Sequence, residues 1–502
     1  MKKQFLSPYK HIEKLSDGQI ESLQYVWDRI ASGDPRARVS LTGAAGAGKT
    51  AAIFSLVKEY IEENKMQSIA IVAQTNKAVS VLFEAATHAG LVENNQPVPQ
   101  VKFSTVAGIL GLRPREVKDK KVFKLSEHCP ITNFDLVIID EASMLNESLV
   151  DLIVEYSNTY RFKVIFMGDK YQLPPVGESN STAFDNIPDH TNIAGIQRYD
   201  GNVLKWATDI RNVIEANEAA VKDAEARGLK TRPTAKRYDC KNFIGLNETD
   251  IWHVRDEDLI VEPYLEAYRK GLGVKYLAFT NATVDAFNDK IHRKIHGADA
   301  DRYIPGELLV SLDTFSTRGK VILRNEEVVR ILKVVRINMD VTKNVLPLLP
   351  PTSVPDEEQF ELPSYAITIQ SAYDANGELI PPPVDLKDPQ AVDNYVNDPM
   401  NDTITVYVPQ EGDGQEAFEE ILEGLRTHGF KRNEWHYFHN FNNRFVALRY
   451  IFATTIHKSQ GSTYDMSFVN VGEISTKERV NQTMNRMLYT ALTRSANVCV
   501  IY

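Results

Sequence analysis

The sequence predicts an α/β fold built on parallel sheets, and three observations carry that expectation. Short apolar runs recur at Arg38–Thr42, Ile69–Ala73, Leu136–Ile139 and Val164–Gly168. Amphipathic stretches separate them: Ile53, Leu56, Val57, Tyr60 and Ile61 fall at i, i+3, i+4, i+7 and i+8, one face of a helix. The pattern then returns, with apolar runs at Lys275–Phe279, Ser467–Val471 and Asn497–Ile501 and helices expected over 282–296 and 476–492. Short buried strands alternating with helices imply parallel sheets covered on both faces. The later strands come from both sides of a long insertion, so a second α/β domain is interrupted by other structure.

The chain has 502 residues, which suggests about three or four domains. Its 57 Lys+Arg against 67 Asp+Glu give 57 − 67 = −10 at pH 7. Hydrophobic residues at 43% and charged residues at 25% exclude chain-wide disorder or collagen-like order. No run approaches the roughly 18 apolar residues of a membrane span. The start Met1-Lys2-Lys3-Gln4-Phe5 is basic but lacks the apolar core of a signal peptide. Cys129, Cys240 and Cys499 are too few and too scattered for a disulfide framework or a zinc site, so a reducing, cytoplasmic location is expected. The acidic balance argues against coating nucleic acid by bulk charge but leaves room for a basic groove.

Two segments have their own texture. Over 303–447, ten of the 23 prolines fall between Pro347 and Pro399. That density is expected to exclude central strands and long helices and predicts small β structure with long loops. Its expected strands are Val328–Leu332 and Thr403–Val408, and acidic loops such as Pro355-Asp356-Glu357-Glu358 are expected to be solvated. Over 112–128, Arg113, Arg115, Lys118, Lys120, Lys121 and Lys124 surround Val122 and Phe123 without helical periodicity. This reads as a basic β-hairpin projecting from the first domain, with a solvated loop as the alternative.

The chemistry begins at Gly43-Ala44-Ala45-Gly46-Ala47-Gly48-Lys49-Thr50, which fits G-x-x-x-x-G-K-[ST] between a strand and a helix. Glycines let backbone N–H groups surround a β-phosphate, and the helix N-terminus adds partial positive charge. Lys49 is then expected to reach the β- and γ-phosphates of ATP, and Thr50 to ligate Mg²⁺. Asp140-Glu141 ends the run Leu136–Ile139, where an acidic pair is costly without a cation or a hydrogen-bonded partner. The carboxyl edge of such a sheet is also where ligands bind. Asp140 is the expected Mg²⁺ partner and Glu141 the general base that orients the attacking water. Gly168–Val176 follows the next strand in the same way, and Gln172 is placed to sense the γ-phosphate.

With these motifs in order, the chain resembles superfamily 1 helicases, specifically the 1B branch of the phage Dda and bacterial RecD type. Ser16-Asp17-Gly18-Gln19 resembles the Q motif, in which the glutamine reads adenine. Ala73–Lys77 resembles motif Ia, Ser104-Thr105-Val106 motif Ib, Asp140–Met144 motif II and Gly168–Val176 motif III. Arg198 followed by Val203–Ala207 resembles motif IV, and Ala278–Asn281 with Val284-Asp285 resembles motif IVa. Thr454–Gly461 resembles motif V and Tyr489–Arg494 motif VI. One departure stands in motif Ib, where the family often has a histidine and this chain has Ala107.

The resemblance implies two RecA-like P-loop domains with parallel sheets, a β-hairpin pin and an SH3-like β insertion. Its boundaries would be 1–102 with 129–190, 191–302 with 448–502, 103–128 for the pin and 303–447 for the insertion with a Pro-rich arm. ATP would lie between the two RecA-like domains. Arg198 and Arg494 are the candidate arginine fingers, since a loose phosphoryl-transfer state spreads charge that an arginine can stabilise, with a structural ion pair as the alternative for each. A motor must hold a strand without reading it, which calls for hydroxyl, amide and aromatic contacts. Thr75, Asn76, Ser104, Thr105, Asn281, Thr455, His457 and Lys458 are the implied polar set, each also a plausible cap or turn former, and Phe123 the implied base-stacking residue of the pin. The implied activity is ATP- and Mg²⁺-dependent 5′-to-3′ movement on single-stranded DNA with unwinding of forks, by a monomer, in phage or bacterial replication or recombination. A bacterial host cytoplasm, no membrane, and a single-strand-binding or replisome protein as partner complete the expectation. An RNA helicase or remodelling ATPase is the enzymatic alternative, and an ATP-gated binding module the non-catalytic one.

Overall fold

The computed structural model describes residues 3–9, 14–64, 66–125, 129–175, 177–178, 181–194, 201–229, 231, 233–317, 320–345, 348, 360–374 and 379–502, with backbone alone at 113–116, 120–124, 317 and 320. The expected solvated loop Pro355–Glu358, the prolines Pro350 and Pro351, and the candidate Arg198 lie outside the described residues. Two compact units form: Met1–Gly111 with Cys129–Ile291 and Phe452–Tyr502, and Leu112–His128 with His292–Ile451.

The first unit holds two parallel sheets. One has six strands in the order His190–Ile193, Arg38–Gly43, Lys163–Gly168, Leu136–Ile139, Ile69–Ala73 and Val101–Thr105. Every pairing is parallel, and the Ile69–Ala73 and Leu136–Ile139 strands are buried along their whole length. That burial explains why these strands read as continuous apolar runs rather than as an alternation. The Lys49–Glu63 helix lays Ile53, Leu56, Val57 and Tyr60 against this sheet's core, on the face the periodicity assigned.

The other sheet has five parallel strands in the order Ile251–His253, Ser495–Ile501, Tyr464–Val469, Val274–Ala278 and Ala453–Thr455. Its strands do come from both sides of an insertion. Where a single helix was expected over 476–492, two form, Val471–Lys477 and Asn481–Leu492. Glu478 takes an extended conformation that ends the first, and the Asn470 side chain caps its start. Tyr171, Leu173 and Ala45 from the first sheet's loops share an apolar core with Met484, Leu488 and Tyr489 from the second sheet's side.

The second unit is built on an antiparallel sheet in the order Ile404–Pro409, Glu361–Ser371, Val328–Asp340, Leu308–Ser311 and Leu448–Tyr450. The expectation of short strands and no long helix fails here. The Val328–Asp340 strand has 13 residues, and the Asp413–Arg432 helix has 20. The reason is position: among the described residues, Pro381, Pro382, Pro383 and Pro399 lie in connections, and Pro363 lies near the start of its strand. The basic hairpin forms, Leu112–Val117 pairing antiparallel with Lys120–Leu125 around a turn at Lys118 (φ 55°) and Asp119. Phe123 is opposite Pro114, back from that turn. Expected to project from the first domain, the hairpin instead groups with the second unit. His439 Nε2 lies 2.7 Å from the Lys118 carbonyl, and Arg426 pairs with Asp119 at 3.5 Å.

Candidate functional site

The turn after the Arg38–Gly43 strand carries Gly46 and Gly48 at φ 79° and 76°, left-handed values that glycine adopts without steric cost. Gly48 is the N-cap of the Lys49–Glu63 helix, so this helix begins where the turn ends. Lys49 Nζ donates to the carbonyls of Gly43 (2.9 Å) and Ala44 (3.2 Å), lying back over the turn. Thr50, half-buried, starts the helix beside it, and Ala47 is buried. Gln19 is buried. Its Nε2 donates to the Gly48 carbonyl at 3.1 Å and the Ala47 carbonyl at 3.3 Å, while its Oε1 accepts from Ser16 N at 2.8 Å. It therefore joins the capped start of the Asp17–Ile30 helix to the phosphate turn.

Asp140 and Glu141 stand at the carboxyl edge of the first sheet. Burial, with repulsion from Glu141, pushes the Asp140 carboxyl up to about 7, against the opposing pull of Lys49. Glu141 adopts φ 50° and ψ 39°, a left-handed conformation that costs a non-glycine residue about 1–3 kcal/mol and is typical of functional positions. Glu141 Oε2 and Gln172 Oε1 are buried acceptors without a hydrogen-bond partner. Each such orphan costs about 1–3 kcal/mol until a partner arrives. Unsatisfied acceptors at these two positions fit the protons of an attacking water, while Lys49 and the N–H groups of the turn fit phosphate oxygens. Thr50 and Asp140 have the oxygen donors that a hard cation takes.

The second sheet reaches this site. Asp169 is buried, and its Oδ2 accepts both from Ala45 N, within the phosphate turn, and from the Tyr489 hydroxyl, each at 2.8 Å. Arg486, also buried, donates to the carbonyls of Lys170 and Gln172 (3.0 Å to the latter) and to Glu218 Oε1 at 2.7 Å. Gln460 Nε2 donates to the Leu173 carbonyl at 3.1 Å. A β-carbon at Gly461, which has φ 73°, would meet Glu141 Cγ at 3.9 Å and Ala78 Cβ at 3.8 Å. Residues of motifs V and VI thus touch the phosphate turn, motif II and motif III. Arg494 is engaged within its own lobe, donating to the carbonyls of Thr490 (3.0 Å) and Ser462 (3.1 Å) and to Thr493 Oγ1 (3.2 Å).

The polar set expected along a nucleic-acid path divides between caps and open positions. Thr75 and Thr105 cap helices, accepting from Ala78 N (3.2 Å) and Gly108 N (3.0 Å), while Asn76 and Asn281 are exposed at helix starts. Ser104 is half-buried at the end of the Val101–Thr105 strand. Thr455 is buried and accepts from Lys458 N at 3.4 Å; burial lowers the pKa of His457. The side chain of Phe123 lies outside the described residues.

Sequence reasoning left four residues without a role: Asp169, Arg486, Tyr489 and Glu473. The last receives Phe279 N (2.9 Å), Thr280 Oγ1 (2.8 Å), Thr283 Oγ1 and Lys477 Nζ (2.9 Å), and so fixes the start of the Asn281–His296 helix. Asp169 had a readable signal, because it follows a buried strand just as Asp140 does.

Fold and site together define a P-loop nucleotide-binding protein that resembles the superfamily 1B helicases of the Dda type. Residues 30–178 match the AAA domain family, and residues 450–502 match the UvrD-like helicase C-terminal domain. The chain is 24% identical over 336 residues to the ATP-dependent DNA helicase dda of Enterobacteria phage T4, covering 64% of this chain and 68% of the relative. It is 24% identical over 489 residues to an uncharacterised protein of Acanthamoeba polyphaga mimivirus, covering 91% and 93%. Among solved structures it is similar to the Pif1 helicase from Candida albicans, with 15% identity, a TM-score of 0.43 and coverage of 98% and 94%. Among the described residues, no helix is long and apolar enough to cross a membrane.

Proposed function

We propose that this chain is an ATP- and Mg²⁺-dependent DNA helicase that moves 5′ to 3′ on single strands and separates duplexes at forks. The observation that carries the reading is the Asp169 node. One buried carboxylate joins the backbone of the phosphate turn to Tyr489 on the second sheet's side, so a change at the nucleotide is felt by both lobes. Thr50 and Asp140 would hold Mg²⁺, which when bound supplies positive charge against the phosphates. Lys49 would exchange its carbonyl partners for phosphate oxygens. Glu141 would take the proton of the attacking water through its partnerless Oε2, and Gln172 would hold that water in line. Arg494, to act on the γ-phosphoryl group, would have to leave its own-lobe carbonyls; Arg198 remains the second candidate. Closure and reopening of the lobes would then shift a strand between Thr75, Asn76, Ser104 and Thr105 on one side and Asn281, Thr455, His457 and Lys458 on the other. Phe123 would act at the fork.

The test uses the full chain on duplexes with a 5′ or a 3′ single-stranded tail, made in DNA and in RNA, with and without ATP. Unwinding of the 5′-tailed DNA alone, only with ATP, and its loss with DNA-stimulated ATP hydrolysis in Lys49→Ala, is the expected result. Unwinding of the 3′-tailed duplex would reverse the polarity. Preference for the RNA duplex would favour the RNA helicase, and turnover retained by Lys49→Ala would refute the phosphate-turn assignment.

A further inference from the structure

A second cluster of ionisable groups lies in the other unit, at the end of the Asn281–His296 helix. His292 and His296 are four residues apart, hence on one helical face, and Glu307 approaches them just before the Leu308–Ser311 strand. His292 Nδ1 is 2.8 Å from Glu307 Oε1, and His296 Nε2 is 2.9 Å from the same oxygen. Among the described residues these three place their potential ligand atoms within 4.8 Å of one another. The His292 and Glu307 side chains are 5% and 8% exposed, whereas His296 at 27% leaves the cluster open to solvent on one side.

The hydrogen bonds around the cluster assign its free lone pairs. His292 Nε2 lies 3.0 Å from the Asp301 carbonyl, which can only accept, so this nitrogen carries the proton. In the neutral ring Nδ1 then presents a lone pair to a carboxylate oxygen 2.8 Å away, an arrangement that needs a proton or a cation between them. An imidazole whose second nitrogen donates to a backbone carbonyl is the usual support of a metal-bound histidine. Glu307 Oε2 accepts from Ile304 N at 3.2 Å, and the Tyr450 ring stacks on His292 at 4.6 Å and 13°, so both ligand groups are held in orientation. The helix C-terminus contributes partial negative charge that favours a cation there.

We propose that His292, His296 and Glu307 form a zinc site that joins the end of this helix to the first strand of the antiparallel sheet. Nδ1, Nε2 and Oε1 supply three ligands, and water completes the tetrahedron from the side of His296. Bonds near 2.0–2.1 Å put tetrahedral ligand atoms about 3.3–3.4 Å apart, so each nitrogen, now 2.8 or 2.9 Å from Oε1, would move about half an ångström away from it. Two imidazoles with one carboxylate select zinc over Mg²⁺, which prefers oxygen ligands, so this site is chemically separate from the nucleotide site.

The test strips the full-length protein with a chelator and titrates it with Zn²⁺, with Co²⁺ as the spectroscopic probe and Mg²⁺ as control. One Zn²⁺ per chain, a tetrahedral Co²⁺ absorption band and a zinc-dependent rise in melting temperature are expected; Mg²⁺ should produce none of the three. His296→Ala, the most exposed ligand, should weaken zinc binding by more than the roughly 10–100-fold typical of losing an outer-shell partner, while circular dichroism shows an intact fold. Glu307→Gln provides a second variant and should bind equally poorly. Wild-type protein that binds no zinc, or binds it no better than His296→Ala, would reduce the cluster to a hydrogen-bonded triad and overturn the proposal.

Discussion

Glu141 concentrates the residue-scale cost of the site. Its backbone is left-handed, its Oε2 has no partner, and its charge helps to raise Asp140. Glu141→Gln keeps the shape and removes the proton acceptor. ATP turnover should fall by about 10²–10⁴ while nucleotide binding persists, measured by steady-state hydrolysis beside equilibrium binding of a nucleotide analogue. Turnover within a factor of a few of wild type would remove Glu141 from the base role. The Gly43–Thr50 turn and the Asp140–Glu141 pair were legible because their chemistry depends on local spacing. The place of Asp169 after a buried strand was readable, but its contact with Ala45 and that of Arg486 with the Gln172 carbonyl were not, because these partners lie far along the chain and no spacing rule reports them.

At the scale of elements, Glu473 shows how a side chain from one helix builds the start of another. Burial alone would raise its carboxyl, but hydrogen bonds from Thr283, Lys477, Thr280 and Phe279 outweigh burial and hold it below the usual range. A depressed folded-state pKa gives stability that is present above the unfolded value of about 4.3 and is lost as pH falls through the folded value. Glu473→Gln should therefore cost about 1–3 kcal/mol near pH 7, with the gap from wild type closing below about pH 4. Chemical denaturation at several pH values reads this directly, and a gap that stays constant down to pH 3 would contradict it. Buried strands were readable from apolar runs alone. The Asp413–Arg432 helix was also present in the pattern, since Phe418, Ile421, Leu422 and Leu425 follow i, i+3, i+4 and i+7 and pack in the second unit's core. Proline density, a regional signal, obscured that local one.

For the whole molecule, the hydroxyl of Tyr489 is the smallest group that links the phosphate turn's side to the second sheet's side through Asp169. Tyr489→Phe removes it while keeping the ring in its edge contact with Tyr171. The ratio of DNA-stimulated to basal ATP turnover should fall by about ten- to a hundredfold, the equivalent of a hydrogen bond to a charged group. Loss of basal turnover by the same factor would mean the residue serves the nucleotide pocket alone. Order along the chain also bears on how the protein is made. The Val274–Ala278 strand pairs with Ala453–Thr455 and Tyr464–Val469, and Ile251–His253 pairs with Ser495–Ile501, so neither of the two strands made before the insertion has a neighbour until the chain after it is made. At roughly 5–20 residues per second, a ribosome leaves Leu277 and Ile251 without their sheet for on the order of ten seconds or more. The apolar faces of these two strands therefore stay without their partners throughout synthesis of the insertion.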